Sequence, residues 1–91
     1  MKGGFVFYIQ DVTITRKQAV EIIKKEGLQR YNVNENRYDT NNETVIKEKA
    51  GKWLVYATDE RAGVYGIIHE YNTEDDALDM FIDLLRFANR K

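Results

Sequence analysis

The stretch WLVYATDERAGVYG, residues 53–66, shows how this chain is built. Its apolar run ends at the charged triplet Asp59-Glu60-Arg61 and resumes at Val64, directly after Gly63. Aspartate and glycine are typical of tight turns, whereas β-branched and aromatic residues are typical of strands. The stretch therefore predicts a β-hairpin that carries the three charges in its loop.

Further strands are predicted on both sides of this hairpin loop. Residues 45–49 alternate in polarity, and Ala50-Gly51-Lys52 forms a turn signal before the strand at residues 53–58. The strand after the hairpin loop is predicted at residues 64–71. Three consecutive strands joined by short turns predict an antiparallel meander over residues 45–71.

Two helices are predicted outside the meander. Thr15 and Gln18 have the spacing of a capping box, and Gly27 suits the left-handed residue that ends the helix. Thr73 is the expected N-cap of the last helix, and the carboxylates at residues 74–76 favour the positive end of its dipole. This last helix is so apolar that it needs cover on more than one side.

The remaining segments complete the predicted fold. Residues 5–9 are apolar on both alternating faces and predict a first strand, which pairs inside or beside the meander. Residues 31–44 are rich in asparagine and predict a long loop, with a short strand near residues 31–33. We therefore predict a single α+β domain over residues 1–91. It has an antiparallel sheet with two helices on one face, in the order β-α-β-β-β-α.

Composition limits the classes of function. The 91-residue chain has 43% hydrophobic residues, no cysteine and a formal net charge of −1. A small secreted domain usually needs disulfides, so the composition favours a cytoplasmic protein. No apolar run is long enough to span a membrane. A dedicated nucleic-acid binder usually has an excess of basic residues. The nearly balanced charge of this chain therefore disfavours that class of protein.

The charges Asp59, Glu60 and Arg61 have three interpretations. They can form only a solvated turn, they can be a recognition tip that a rigid hairpin presents to a partner, or the two carboxylates can act in catalysis. Acid–base catalysis needs burial to shift a pKa, and a hairpin tip is normally wet. His69 is the single histidine, and no serine or cysteine nucleophile motif accompanies it. No cofactor or metal motif is present.

Two other groups are candidates for binding a partner. Asp75 and Asp76 lie in the first turn of the last helix, where carboxylates favour the positive end of its dipole. Together with Asp79 they also contribute to an acidic patch that could steer a basic partner. Tyr31 and Tyr38 fall in the polar loop, where an exposed tyrosine is a favoured interface anchor.

Two motifs in the second half of the chain resemble a known family. These are W-x-V-x-x-T-D-E-R-A at residues 53–62 and Y-x-T-E-D-D-A-L-x-x-F-I-x-x-L at residues 71–85. They are similar to the small bacterial immunity proteins encoded beside polymorphic toxin genes, over roughly residues 44–91. The resemblance implies an α+β, cytoplasmic, non-enzymatic protein that neutralises a cognate toxin domain by binding it. It implies a partner-binding role for Asp59, Glu60 and Arg61.

The sequence supports two alternatives to the inhibitor hypothesis. One is a small enzyme or metal-dependent factor that uses Asp59, Glu60 and His69, which requires a pocket joining the hairpin tip to the histidine. The other is a homodimer whose interface is the unusually apolar last helix. A dimer would be compatible with an inhibitor.

Overall fold

Two α-helices and a four-stranded sheet form the part of the protein that the computed structural model describes, residues 14–90. The elements are α1 Arg16–Glu26, β1 Tyr31–Val33, β2 Thr44–Lys49, β3 Lys52–Thr58, β4 Val64–Tyr71 and α2 Glu74–Asn89. The α+β class is confirmed. The observed order is α-β-β-β-β-α, so the predicted order β-α-β-β-β-α is wrong for this part. The strand predicted at residues 5–9 lies outside the described residues.

The sheet is mixed, which corrects the prediction of an antiparallel sheet. Its strand order is β1-β2-β3-β4, and the predicted meander of β2, β3 and β4 is confirmed. However, β1 runs parallel to β2, with Asn32 beside Val45. Residues 34–43 carry the chain back to the start of β2, and Asn34 and Asn42, near the two ends of this loop, have positive φ angles. Pairing with β2 stabilises a three-residue strand that its own sequence signals only weakly.

The predicted helix ends are confirmed. The Gln18 N–H donates to the Thr15 hydroxyl at 3.2 Å, and the Thr15 N–H donates to the Gln18 side chain at 2.9 Å. Gly27 has a φ of 65°, a left-handed conformation that glycine adopts without steric cost. At α2, the Asp76 N–H donates to the Thr73 hydroxyl at 3.3 Å. Local rules therefore place both helices correctly along the chain.

The core lies between the sheet and the two helices. Helix α2 contributes Leu78, Phe81 and Leu85, all fully buried, against Ile46 and Val55 of the sheet. Helix α1 packs beside α2 and adds further apolar side chains to the same cluster, namely Ala19 and Ile23. The ion pairs Arg16–Glu74 and Glu26–Arg86 join the two helices near both ends. The helices therefore run side by side in the same direction.

The sheet is covered unevenly on its two faces. Val45 and Tyr56 alternate with the core residues of β2 and β3, yet they are also buried. The loop of residues 34–43 reaches this face at Tyr56, whose hydroxyl donates to Asp39 at 2.6 Å. In contrast, six of the eight residues of β4 are exposed. The centre of the sheet is therefore closed on both faces, while its β4 edge is open within the described residues.

Candidate binding groove

An open groove lies between β4 and the C-terminal half of α2. It has a volume of about 1150 Å³, which exceeds the usual size of a small-molecule pocket. One end is formed by the hairpin tip at residues 59–61, together with Arg30 and Asn42. A groove of this size and openness suits a segment of another protein better than an enclosed metabolite.

Large apolar side chains line the groove yet remain exposed. Tyr65 is 71% exposed, Ile67 72% and Phe87 68%. They share the groove with Leu84 and Ala88 of α2. Single exposed apolar residues are common, but a contiguous group marks an interaction surface. The groove therefore has the character of a protein-binding surface.

A β-bulge shapes the β4 wall of the groove. His69 pairs with Val55 and Tyr65 pairs with Ala57, so residues 66–68 of β4 lie opposite Tyr56 alone. Bulges bend a strand and redirect its side chains. Gly66 has a φ of 83° within this bulge. The bulge therefore interrupts the regular ladder at the position where β4 exposes its apolar side chains.

The hairpin tip is held in shape by Asp59. Its carboxylate accepts hydrogen bonds from the backbone N–H groups of Arg61 at 2.8 Å and Gly63 at 3.0 Å. The Asp59 N–H also donates to the carbonyl of Gly63 at 2.8 Å. Asp59 is thus a turn-forming residue, whereas Glu60 and Arg61 are exposed at the end of the groove.

His69 is half-buried and lines the same groove as Asp59 and Glu60. The pocket that the enzymatic alternative requires is therefore present. Within residues 14–90, however, no three histidine, cysteine, aspartate or glutamate side chains come together as a metal site requires. The Asp59 carboxylate is already engaged by two backbone donors. The groove thus places the three residues of that alternative together without giving them a recognisable catalytic arrangement.

The predicted acidic residues lie along exposed parts of α2. Asp76 and Asp79 share a face with Asp83, and Asp75 lies on a neighbouring exposed position. Burial, followed by the charges of Asp83 and Asp76, raises the pKa of Asp79 above its ordinary value. At 1.5 Å per residue, Asp76 lies roughly 16 Å along the helix from Phe87. The acidic stripe, Asp76, Asp79 and Asp83, therefore extends away from the hairpin tip.

The two predicted tyrosine anchors lie outside the groove lining. Tyr31 belongs to β1, at the opposite edge of the sheet from β4. Tyr38 lies in the loop that covers the second face, and its side chain is 95% exposed. The structure therefore does not bring the tyrosines together with the hairpin tip in one groove.

Tyr65, Ile67 and Phe87 were not predicted as binding residues. Two signals pointed toward them. The strand at residues 64–71 is apolar on both faces, and the last helix carries more apolar residues than one buried face can use. Neither signal predicts which of these side chains remain exposed. Their exposure depends on how far α2 and α1 extend across the sheet.

Comparison with known proteins gives one match. The family model Imm59, described as Immunity protein 59, matches residues 12–90. No curated protein and no solved structure was found to match the chain. Within residues 14–90, no helix is long and apolar enough to cross a membrane. Because the match covers most of the sequence and confirms the resemblance of the hairpin and helix motifs, the chain belongs to the Immunity protein 59 family, non-enzymatic proteins that neutralise a cognate toxin.

Proposed function

We propose that this immunity protein neutralises its toxin by seating part of the toxin in the groove between β4 and α2. The observation that carries the proposal is the exposure of Tyr65, Ile67 and Phe87, each 68–72% exposed, in one groove. Covering these side chains would remove apolar surface from water, which is the main favourable contribution to association. The enzyme alternative is rejected because the family is non-enzymatic.

The apolar groove supplies binding free energy, and the hairpin tip supplies orientation. A few large buried side chains usually dominate an interface, while polar groups around them exclude water and select the partner. Glu60 and Arg61 lie at the groove end on a turn that Asp59 stiffens. They can therefore form ion pairs with the toxin that fix its direction in the groove.

The acidic residues of α2 provide long-range attraction for a basic toxin surface. Asp76, Asp79 and Asp83 form a stripe of like charge, with Asp75 beside it. A field of one sign speeds the encounter with a partner of opposite sign and excludes like-charged competitors. A toxin that binds nucleic acid would carry such a basic cleft, so we propose a nuclease-type toxin as the best-matched partner.

The test compares groove variants with a matched surface variant. Phe87→Ala and Ile67→Ala remove exposed groove side chains, whereas Val20→Ala removes a 40% exposed apolar side chain on α1. Affinity is measured by calorimetry against the toxin domain encoded beside this chain's gene, and protection is scored by co-expression. Hot-spot truncation costs about 2 kcal/mol or more, so we expect each groove variant to bind roughly 30-fold more weakly.

The matched variant decides the interpretation of this experiment. Val20→Ala should bind the toxin with unchanged affinity, because Val20 does not line the groove. Full affinity in both groove variants would reject the groove as the toxin-binding surface. Equal weakening in all three variants would also reject it, since the loss would then report a general effect of surface truncation.

We further propose that the free protein forms a weak homodimer through the same surface and that it acts in the cytoplasm. The exposure of Phe87 on α2 favours a dimer, and the lack of cysteine favours a reducing compartment. Sedimentation at several concentrations tests the dimer, with Phe87→Ala expected to be monomeric throughout. A concentration-independent monomer mass for the unmodified chain would contradict it.

A further inference from the structure

The loop of residues 34–43 forms a second exposed structure, which adjoins the groove through Asn42 and Glu43. It connects the parallel strands β1 and β2 by passing over the sheet face that the helices leave uncovered. This connection is longer than the usual loop of about four to six residues and has no regular structure of its own. This loop is fixed by an extensive set of hydrogen bonds.

Arg37 and Glu43 form the main connection within the loop. The Arg37 guanidinium donates to both carboxylate oxygens of Glu43, at 3.0 and 3.2 Å, and to Glu35 at 2.8 Å. Glu43 is only 3% exposed. Burial raises the pKa of Glu43, but hydrogen bonds from Arg37 and Thr40 outweigh burial and hold the pKa below its ordinary value. The loop is therefore closed by a charged pair with two-point geometry.

Tyr38 lies between neighbours that are each held in place. On one side, Arg37 donates to the carbonyl of Tyr38 at 3.0 Å. On the other side, the Asp39 carboxylate accepts from the Tyr56 hydroxyl at 2.6 Å, and the Thr40 N–H donates to Glu43 at 2.8 Å. The Tyr38 side chain nevertheless projects into solvent and is 95% exposed. A fixed backbone thus presents a free aromatic ring.

The loop is joined to the hairpin tip that closes the groove. The Asn42 N–H donates to the carbonyl of Asp59 at 2.9 Å. The Thr58 hydroxyl donates to the carbonyl of Thr40 at 2.7 Å. The loop and the groove therefore meet at one end of the sheet, on opposite faces. A partner that covers this end can contact both.

We propose that Tyr38 is a second toxin contact, which inserts its ring into an apolar pocket of the toxin while the groove holds another segment. This inference rests on the proposed neutralisation of a toxin by binding, but it does not require the groove to be the other contact. A tyrosine brings a large contact area with few rotatable bonds, and a fixed loop lowers the ordering cost of binding. The loop network is therefore a positioning device for the Tyr38 ring.

Tyr38→Ala and Tyr38→Phe test the contact directly. Against the same toxin domain, Tyr38→Ala should raise the dissociation rate about tenfold or more, whereas Tyr38→Phe should stay within about twofold because it keeps the ring. Neither variant should change the urea midpoint of the free protein. An unchanged dissociation rate for Tyr38→Ala would overturn the proposal.

Tyr56→Phe tests the positioning role with a residue that cannot touch the toxin. Tyr56 is 4% exposed, and the substitution removes the hydrogen bond to Asp39. We expect the association rate to fall about two- to fivefold, because fewer encounters then find Tyr38 in its binding position. An association rate equal to that of the unmodified protein would remove the positioning role.

Phe87→Ala, measured in parallel, separates the two proposals. If Phe87→Ala weakens binding and Tyr38→Ala does not, the result supports the groove as a toxin-binding surface and rejects Tyr38 as a toxin contact. If Tyr38→Ala alone weakens binding, the loop contact stands and the groove proposal fails. If neither weakens binding, both fail together.

Discussion

Tyr65 on β4 and Phe87 on α2 line the same groove from two different elements, and both are about 70% exposed. A chain that folds only to bury apolar surface would place such side chains elsewhere or replace them with polar ones. Their contiguity is the property expected of a surface that is completed by a partner. The family implies a cognate toxin as partner, and we propose that the toxin is what covers this surface.

The first prediction is that removing an exposed groove side chain changes the stability of the protein much less than removing a buried core side chain. Phe87→Ser should leave the free energy of unfolding within about 0.5 kcal/mol of its original value, because the side chain is mostly solvated. Phe81→Ala should cost about 3–5 kcal/mol, since Phe81 is fully buried. Urea denaturation of the two variants measures both values. A large loss for Phe87→Ser would show that Phe87 contributes to the core.

The second prediction concerns the hairpin turn. Asp59→Ala removes the carboxylate that accepts from Arg61 and Gly63, and it should cost about 1–2 kcal/mol of stability. Asp59→Asn keeps one side-chain oxygen, so it should lose less than Asp59→Ala. Glu60→Ala is the matched control, and thermal unfolding should be unchanged. If Asp59→Ala and Glu60→Ala have equal stability, the turn does not depend on the Asp59 carboxylate.

The third prediction is that acid lowers the stability of the fold by protonating Glu43. The folded pKa of Glu43 lies below its ordinary value of 4.5. The stability from the ionised group is therefore fully present above about pH 4.5 and is lost as the pH falls through the folded pKa. Urea midpoints should fall in that acid range. In Glu43→Gln the neutral-pH stability should drop by about 1–3 kcal/mol, and the part of the acid dependence that comes from Glu43 should disappear. An identical pH profile in the variant would contradict this account.

The fourth prediction concerns the acidic stripe. Because the folded pKa of Asp79 is raised, ionising Asp79 destabilises the fold as the pH rises through that value. Asp79→Asn should therefore raise the urea midpoint at neutral pH, and the gain should vanish near pH 3. Asp75→Asn removes a favourable charge from the first turn of the helix, so this variant should not raise the urea midpoint. A lower midpoint for Asp79→Asn would contradict the raised pKa, which comes first from burial and then from the charges of Asp83 and Asp76.

The fifth prediction concerns steering. Replacing Asp76, Asp79 and Asp83 together by asparagine should slow association with a basic toxin by about tenfold at low ionic strength, with little change in dissociation. The difference should shrink as salt is added, because salt screens exposed charges. Stopped-flow mixing measures both rates. An association rate that is the same with and without the three charges would exclude electrostatic steering by this stripe.

The sequence was sufficient for features that depend on neighbouring residues. The turn closed by the Asp59 carboxylate, the capping box at Thr15 and the left-handed Gly27 each follow from local chemistry, and all are present. In that turn the positive φ lies at Ala62, whereas glycine chemistry favoured Gly63. The resemblance carried by residues 53–62 and 71–85 was enough to indicate a bacterial immunity protein, and the match over residues 12–90 gives the particular family. These features need no knowledge of how distant elements pack.

The features that the sequence did not predict depend on distant contacts. A short strand near residues 31–33 was predicted and is present, but its parallel pairing with β2 was not predicted. The loop over Tyr56 is fixed by Arg37 and Glu43, which look like ordinary charged residues in the sequence. The exposure of Ile67 depends on where α2 ends relative to β4. Local periodicity marks such residues as apolar, but only the packing shows whether they are buried.

The most direct test of the groove is a methyl NMR footprint of the toxin complex. The immunity protein would be labelled at isoleucine, leucine and valine methyl groups and mixed with the unlabelled toxin domain encoded beside its gene. We predict that the methyl signals of Ile67 and Leu84 shift or broaden on binding, while those of Val20 on α1 do not. Perturbation of Val20 with unchanged Ile67 and Leu84 signals would contradict the groove as the toxin-binding surface.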